Sequence, residues 1–412
     1  MNFQIIKSLV IIMAFFAFTL AGCKKDNGQD LSNIEKLPCS ITADKVLVDK
    51  GDGIDYVADC EVQVTNGTLT VPPGVTIAFA NGAGITVSNQ GALKAVGTAD
   101  KPIVFTGQTK AKGSWLGIFF QSNNVLNQLS YATVEYAGGA VQSSMDEKTA
   151  VGVGATDINS HTNSRALITN STIKESDGYG LSVDFKTVIT GFSTNKLTNN
   201  TLSGLKISMG YLGSLDAASD YLTGNGKPYI FVRMGDQGDF VTTDQTWKLL
   251  NAPYQFQMGT MNVYMGEILA DVTVEPGVTM QFATSTGLMI GAGGAGSLNA
   301  IGTHTSPINF KGVNSGQGSW MGLFYTTAST NNILSYCTVD GGGASVPTFA
   351  ETHAKGDIIV GSLYSTTAKL YLNSFVTIQN SGGYGVYIGT NASVNFSDPI
   401  TYQSNVSGDK NK

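Results

Sequence analysis

The stretch LTVPPGVTIAF, residues 69–79, reads as strand, tight turn, strand. Val71, Val75, Ile77 and Phe79 fall in short apolar or alternating runs, the pattern of buried or half-buried β-structure. Pro73 presets φ and Gly74 accepts a positive φ, so the pair predicts a type II turn. The same sentence returns as VTVEPGVTMQF, residues 272–282, with Pro276 and Gly277 in the turn.

Outward from this stretch the copying continues. GALKAVGTADKPIVFTG (91–107) matches GSLNAIGTHTSPINFKG (296–312), and GSWLGIFF (113–120) matches GSWMGLFY (318–325). LSYATVEYAGG (129–139) matches LSYCTVDGGG (334–343), and TIKESDGYG (172–180) matches TIQNSGGYG (377–385). From Leu93 to Gly180 each partner lies 205 positions on, so no net insertion separates these blocks. Asp44 falls opposite Asp244 and Phe192 opposite Phe396. Two tandem units are therefore expected, 39–204 and 241–412, with 205–240 a connector or a set of extra coils.

Composition agrees with many short strands. Among 412 residues there are 50 glycines, 42% hydrophobic residues and 13% charged ones, poor material for amphipathic helices but enough for a core. Runs such as VTIAF, ITVSN, PIVFTG, ATVEYA and YGLSVDF are separated by Gly, Asn, Asp or Pro. A sandwich, a propeller or a solenoid would all use such runs. The lack of two-residue hairpin signals favours the solenoid.

The ordered series PPGVTIAF, GALKAVGT, KPIVFTG, GSWLGI, LSYATVEYAGG and its copy resembles the right-handed parallel β-helix repeats of bacterial surface and secreted proteins in the pectin-lyase-like superfamily. The resemblance spans most of residues 44–204 and 244–408 and implies an all-β fold. Coils of ~20–25 residues would give roughly seven or eight per unit and a rod on the order of 70 Å long. It implies little about activity, since that superfamily holds lyases, hydrolases, adhesins and noncatalytic proteins. For pectate lyases it would imply Asp residues around calcium and a basic residue abstracting a proton, but no motif here matches that arrangement.

Residues 1–22 read as a signal peptide: Lys7 precedes an apolar run too short to span a bilayer, which ends in Leu20-Ala21-Gly22-Cys23. This ending resembles the bacterial lipoprotein lipobox, which implies lipidation of Cys23 and a membrane contact through the lipid. Residues 23–38 are polar and read as a flexible tether. Lys24 in place of an inner-membrane retention Asp makes the outer membrane the expected address, with the chain expected to face outward.

A net charge of −6 and a pI near 5.1 argue against nucleic acid as a partner. Arg165 and Arg233 are the only arginines. In an oxidising compartment Cys39 and Cys60 could pair. Cys337 stands where the first unit has Ala132 and reads as a small buried residue.

Signals for catalysis are sparse. Asp49, Asp52 and Asp55, followed by Asp59 and Glu61, could wrap a calcium ion, but they lack EF-hand order and read first as a solvated loop. Asp157, His161 and Arg165 bring an acid, an imidazole and a guanidinium close in sequence and are weak catalytic candidates, against the simpler reading of a polar loop. GAGGAG (291–296) precedes a strand rather than a helix, which removes a dinucleotide reading. Trp115 and Trp320 are expected to lay their rings over Gly117 and Gly322 at a corner between coils, in preference to serving as a sugar platform. No cofactor is expected, calcium excepted.

These readings converge on a lipid-anchored envelope rod that binds glycans or a surface protein without catalysis. The alternatives are a polysaccharide lyase or glycoside hydrolase with a groove across the coils, and a structural spacer.

Overall fold

The computed structural model describes residues 31–51, 53–143, 145–154, 163–184, 186–234, 240–258, 265–291, 294–345, 354–361 and 367–412. Among these residues the chain forms a parallel β-helix: five sheets of 7, 14, 6, 6 and 6 strands, every strand pairing parallel with the coil above or below. Inward residues such as Ile77, Phe105, Val134 and Ile173 stack rung on rung into one buried core that runs the length of the molecule. No helix among the described residues is long and apolar enough to cross a membrane.

Each coil turns three corners. Gly74 and Gly277 have φ of 89° and 88°, values that a Cβ would strain, so the Pro-Gly pairs make the turns their sequence predicts. Other corners are held by buried asparagines. Asn127 accepts a bond from Leu93 N at 3.1 Å and donates to Ser122 O, and Asn332 repeats this with Leu298 N and Thr327 O. The buried amides thereby satisfy backbone groups that the turn leaves open.

The structure starts earlier than the expected tether allows. Glu35–Lys36 already pairs with Tyr56–Val57, because Leu37 is buried in the core and draws the preceding residues onto the first coil. Residues 205–240 supply further coils: Leu205–Ser208 and Ile230–Met234 are adjacent strands of the 14-stranded sheet, and a 3-10 helix, Met209–Ser214, follows the first of them.

The two units are joined out of phase. Strand Thr76–Phe79 lies in the seven-stranded sheet, and its copy Thr279–Phe282 lies in the 14-stranded one. Gly84–Val87 lies in the 14-stranded sheet, whereas its copy Gly287–Ile290 lies in a six-stranded sheet. The extra coils thus advance the second unit by one face. The long sheet is continuous through both units at about 4.8 Å per strand, on the order of 60 Å in all.

Candidate functional site

Side chains alternate across a strand, so every second residue of the long sheet faces away from the core. In the second unit these outward residues form two straight rows. Thr279, Asn309, Thr338, Thr377 and Thr401 are directly opposed from coil to coil, as are Gln281, Lys311, Asp340, Gln379 and Gln403. All ten are partly or fully exposed. Hydroxyls and amides repeat along the rod at about 4.8 Å, and the rows lie about 7 Å apart. They offer many donors and acceptors and few charges.

Two shallow hollows flank the rows and share Gln281. One, of about 280 Å³, is lined by Leu249, Pro253, Gly277 and Thr279 among others. The second, of about 240 Å³, is lined by Lys311, Asn314, Ser319 and Asp340. Asp340 Oδ1 accepts from Asn380 Nδ2 at 2.9 Å, which fixes the carboxylate within its row.

Toward the first unit the same face is roofed. Gln142 Nε2 donates to Glu61 Oε1 at 2.8 Å, and Met145 lies close over Gly152, where a Cβ would come within 2.7 Å of Met145 Cε. Asp146 then ion-pairs with Lys206 and sits 3.7 Å from Arg233 Nη1. Arg233 Nη1 also meets Asp184 at 2.7 Å. Lys206, Arg233 and Asp184 are buried. The Lys206 ammonium is 5.6 Å from the Tyr179 ring and 5.7 Å from that of Phe231, and the two rings meet edge to face. Burial, with Glu147 and Asp146 nearby, raises the Tyr179 phenol above its ordinary value. Two cations and two carboxylates balance within this cluster, which suits fastening the roof to the sheet.

The sequence-predicted residues fare differently. Arg165 is the second residue of strand Ser164–Thr169, and its Nε donates to Asn123 Oδ1 at 3.1 Å. Asp157 and His161 lie outside the described residues, as do Cys23 and Asp52. Asp49 accepts from Gly51 N and meets Lys101 Nζ at 3.1 Å, and these bonds lower its carboxyl below the ordinary value. Asp55 is buried and caps two backbone amides, Lys50 N at 2.6 Å and Thr76 N at 2.7 Å. Among the described residues no group of three or more His, Cys, Asp or Glu side chains is placed to hold a metal ion.

Cys39 and Cys60 form a disulfide, with Cα atoms 5.8 Å apart. Cys337 is a free, buried thiol, pushed up to about 12 by burial against the lowering effect of bonds to Ser335 and Gly302. Trp115 and Trp320 are fully buried and unavailable to a ligand; their rings lie on Phe79 and Phe282 inside the core.

Sequence reading missed the Asp146, Asp184, Lys206 and Arg233 cluster. A signal was present: Lys206 and Arg233 each interrupt an otherwise apolar strand, LKIS and IFVRM, at an outward position.

Residues 40–149 match a family model described as a pectate-lyase-like beta helix domain. The match covers most of the first unit and agrees with the parallel sheets found there. No curated protein and no solved structure matches the chain.

Proposed function

We propose that the protein is a lipid-anchored rod of the cell envelope that binds a glycan, without turning it over, along the outer face of the long sheet in the second unit. One observation carries this reading: two aligned rows of hydroxyl, amide and sparse charged side chains stand open there, beside two hollows. A polysaccharide presents a periodic line of hydroxyls, and a periodic line of donors and acceptors answers it. The lipid on Cys23, with the polar residues that follow it, would tether the rod to the outer membrane and leave this face free.

The test is binding of the full chain, in detergent, to a broad glycan array with and without calcium. Selective binding that weakens when Thr338 and Thr377 are replaced by Val supports the reading. A blank array in both conditions overturns it and moves the weight to protein adhesion or a spacer role.

A second reading, a polysaccharide lyase or glycoside hydrolase, is favoured by the description of the matched family. It predicts cleavage of the bound glycan and loss of cleavage in His161→Ala.

A further inference from the structure

The corner that leads into the long sheet holds an unusual pair in the second unit. Tyr336 precedes strand Cys337–Asp340 and Phe375 precedes strand Val376–Gln379. Their φ values are 48° and 63°, in the left-handed region. That conformation is costly for an ordinary L-residue, and Gly or Asn usually fills it. In the first unit the counterpart of Tyr336 is Tyr131, also at φ 48°, whereas the counterpart of Phe375 is Asn170, at φ 50°; the paired aromatic is particular to the second unit.

Phe375 nevertheless occupies its corner with half of its surface, 50%, exposed. Neither ring belongs to the buried core or is packed against it. The two rings stack on each other, centroids 4.8 Å apart and planes 20° from parallel, so each covers one face of the other and the plate they offer at the rod's edge is the outer surface of that stack. A strained backbone that holds an exposed aromatic gains no core burial in return, which points to a use outside the folded molecule.

The plate is in register with the polar rows. Tyr336 stands two residues before Thr338 and four before Asp340, and Phe375 stands two before Thr377 and four before Gln379. A ligand lying across the sheet therefore meets an aromatic face, then hydroxyls, then a carboxylate or amide, within about 13 Å. A pyranose ring has this same division, with C–H groups on its faces and hydroxyls around its rim. Asp340, at the far end of strand Cys337–Asp340, is directly opposed to Lys311, and Asp398 lies one coil on from the plate, where its carbonyl accepts from Ser374 Oγ. Asp340 and Lys311 balance each other and Asp398 adds a negative charge, so no net positive charge stands here to hold an acidic sugar.

We propose that Tyr336 and Phe375 form a stacking platform for a neutral hexopyranose ring of the bound glycan. The proposal rests on the glycan-binding reading and names the sugar class and the residues that grip it.

The experiment compares the full-length chain with its Phe375→Asn, Phe375→Tyr and Tyr336→Asn variants on immobilised cellohexaose, mannohexaose, galactohexaose and trigalacturonate, with the thermal midpoint of each protein measured alongside. The expected result is binding of a neutral hexaose that falls about tenfold or more in both Asn variants and persists in Phe375→Tyr. The Phe375→Asn midpoint should stay level or rise, because Asn takes the left-handed corner at lower cost, so lost binding cannot be ascribed to misfolding. Full binding by Phe375→Asn overturns the platform and leaves the glycan reading standing. Binding of trigalacturonate alone overturns the proposed sugar class. A wild-type chain that binds none of these probes, nor any glycan on the broad array, overturns both.

Discussion

The indole of Trp115 lies flat on the ring of Phe79, with centroids 4.2 Å apart and planes 10° from parallel. The second unit keeps the pair as Trp320 on Phe282, at 4.3 Å and 11°. Trp115 Nε1 also donates to Glu135 O at 2.8 Å, and Trp320 Nε1 to Asp340 O at the same distance. Each indole thus ties its own coil to the one before and the one after. Trp115→Ala should lower stability by about 3–5 kcal/mol through the lost burial and the cavity left behind. Urea unfolding followed by far-UV circular dichroism would measure it, and a loss under 1 kcal/mol would contradict the packing described.

Asp357 stands where the first unit has Ala150 and is fully buried. Its Oδ1 accepts from Gly342 N at 2.5 Å, and its Oδ2 has no hydrogen-bond partner among the described residues. Burial raises this carboxyl well above its ordinary value; the Gly342 bond opposes the rise and Asp340 adds to it. The folded state then holds a proton that the unfolded chain releases above about pH 4. Stability from this group is complete below that pH and declines as pH climbs toward the folded value. Asp357→Asn mimics the protonated form, so its melting midpoint should exceed the wild-type value at pH 8 and approach it near pH 4. Equal gaps at both pH values would show that Asp357 does not carry the proton.

The roof over the first half of the long sheet depends on Asp146. Removing its carboxylate leaves the buried Lys206 without its ion-pair partner, while Arg233 keeps Asp184. Breaking one side of a buried pair commonly costs about 3–5 kcal/mol, and replacing both sides with apolar residues costs far less. Asp146→Ala is therefore expected to destabilise by about 3 kcal/mol, and Asp146→Leu combined with Lys206→Met to recover most of the loss. Calorimetry on the three proteins decides the matter; a double variant no better than the single one would count against the ion pair as the fastening.

The Cys39–Cys60 disulfide joins residues 21 apart at the first described coil, which among the described residues has one neighbouring coil to support it. Closing a loop of that size contributes about 3 kcal/mol in the chain-entropy view. Stability in a stacked repeat is largely nearest-neighbour, so the effect should be local. Replacing both cysteines with serine should speed hydrogen exchange at Val62 and Val64 and leave Ile358 and Val360 unchanged. Uniform acceleration along the chain would argue for a single cooperative unit instead.

Much of the architecture was legible because the repeat places the same apolar alternation at matching positions, as in VTIAF and VTMQF, and because the Pro-Gly turns have their own chemistry. The one-face offset was hidden. It depends on how many coils residues 205–240 add, and between Leu205–Ser208 and Ile230–Met234 the chain runs through a 3-10 helix and turns with no strand alternation to count. The fold starts within the polar segment for a related reason: one buried residue, Leu37, outweighs the polarity around it. Asp146 and Lys206 are 60 positions apart, and no local pattern announces such a pair. Phe375 sits in FVTIQ, where a phenylalanine reads as an ordinary strand residue; only its alignment with Asn170 hints at a corner.

The offset between the units also sets the directions in which the two copies of the row look. The first unit's version of the hydroxyl row, which includes Thr76, Thr133 and Thr172, looks out from the seven-stranded sheet, while the second unit's version looks out from the long one. Two copies that faced the same way could grip one flat partner together and multiply its residence time. Copies turned to different sides cannot, because no straight polymer reaches both. Duplication here yields two separately directed surfaces, which on the proposed glycan-binding reading would bridge two strands rather than hold one more tightly.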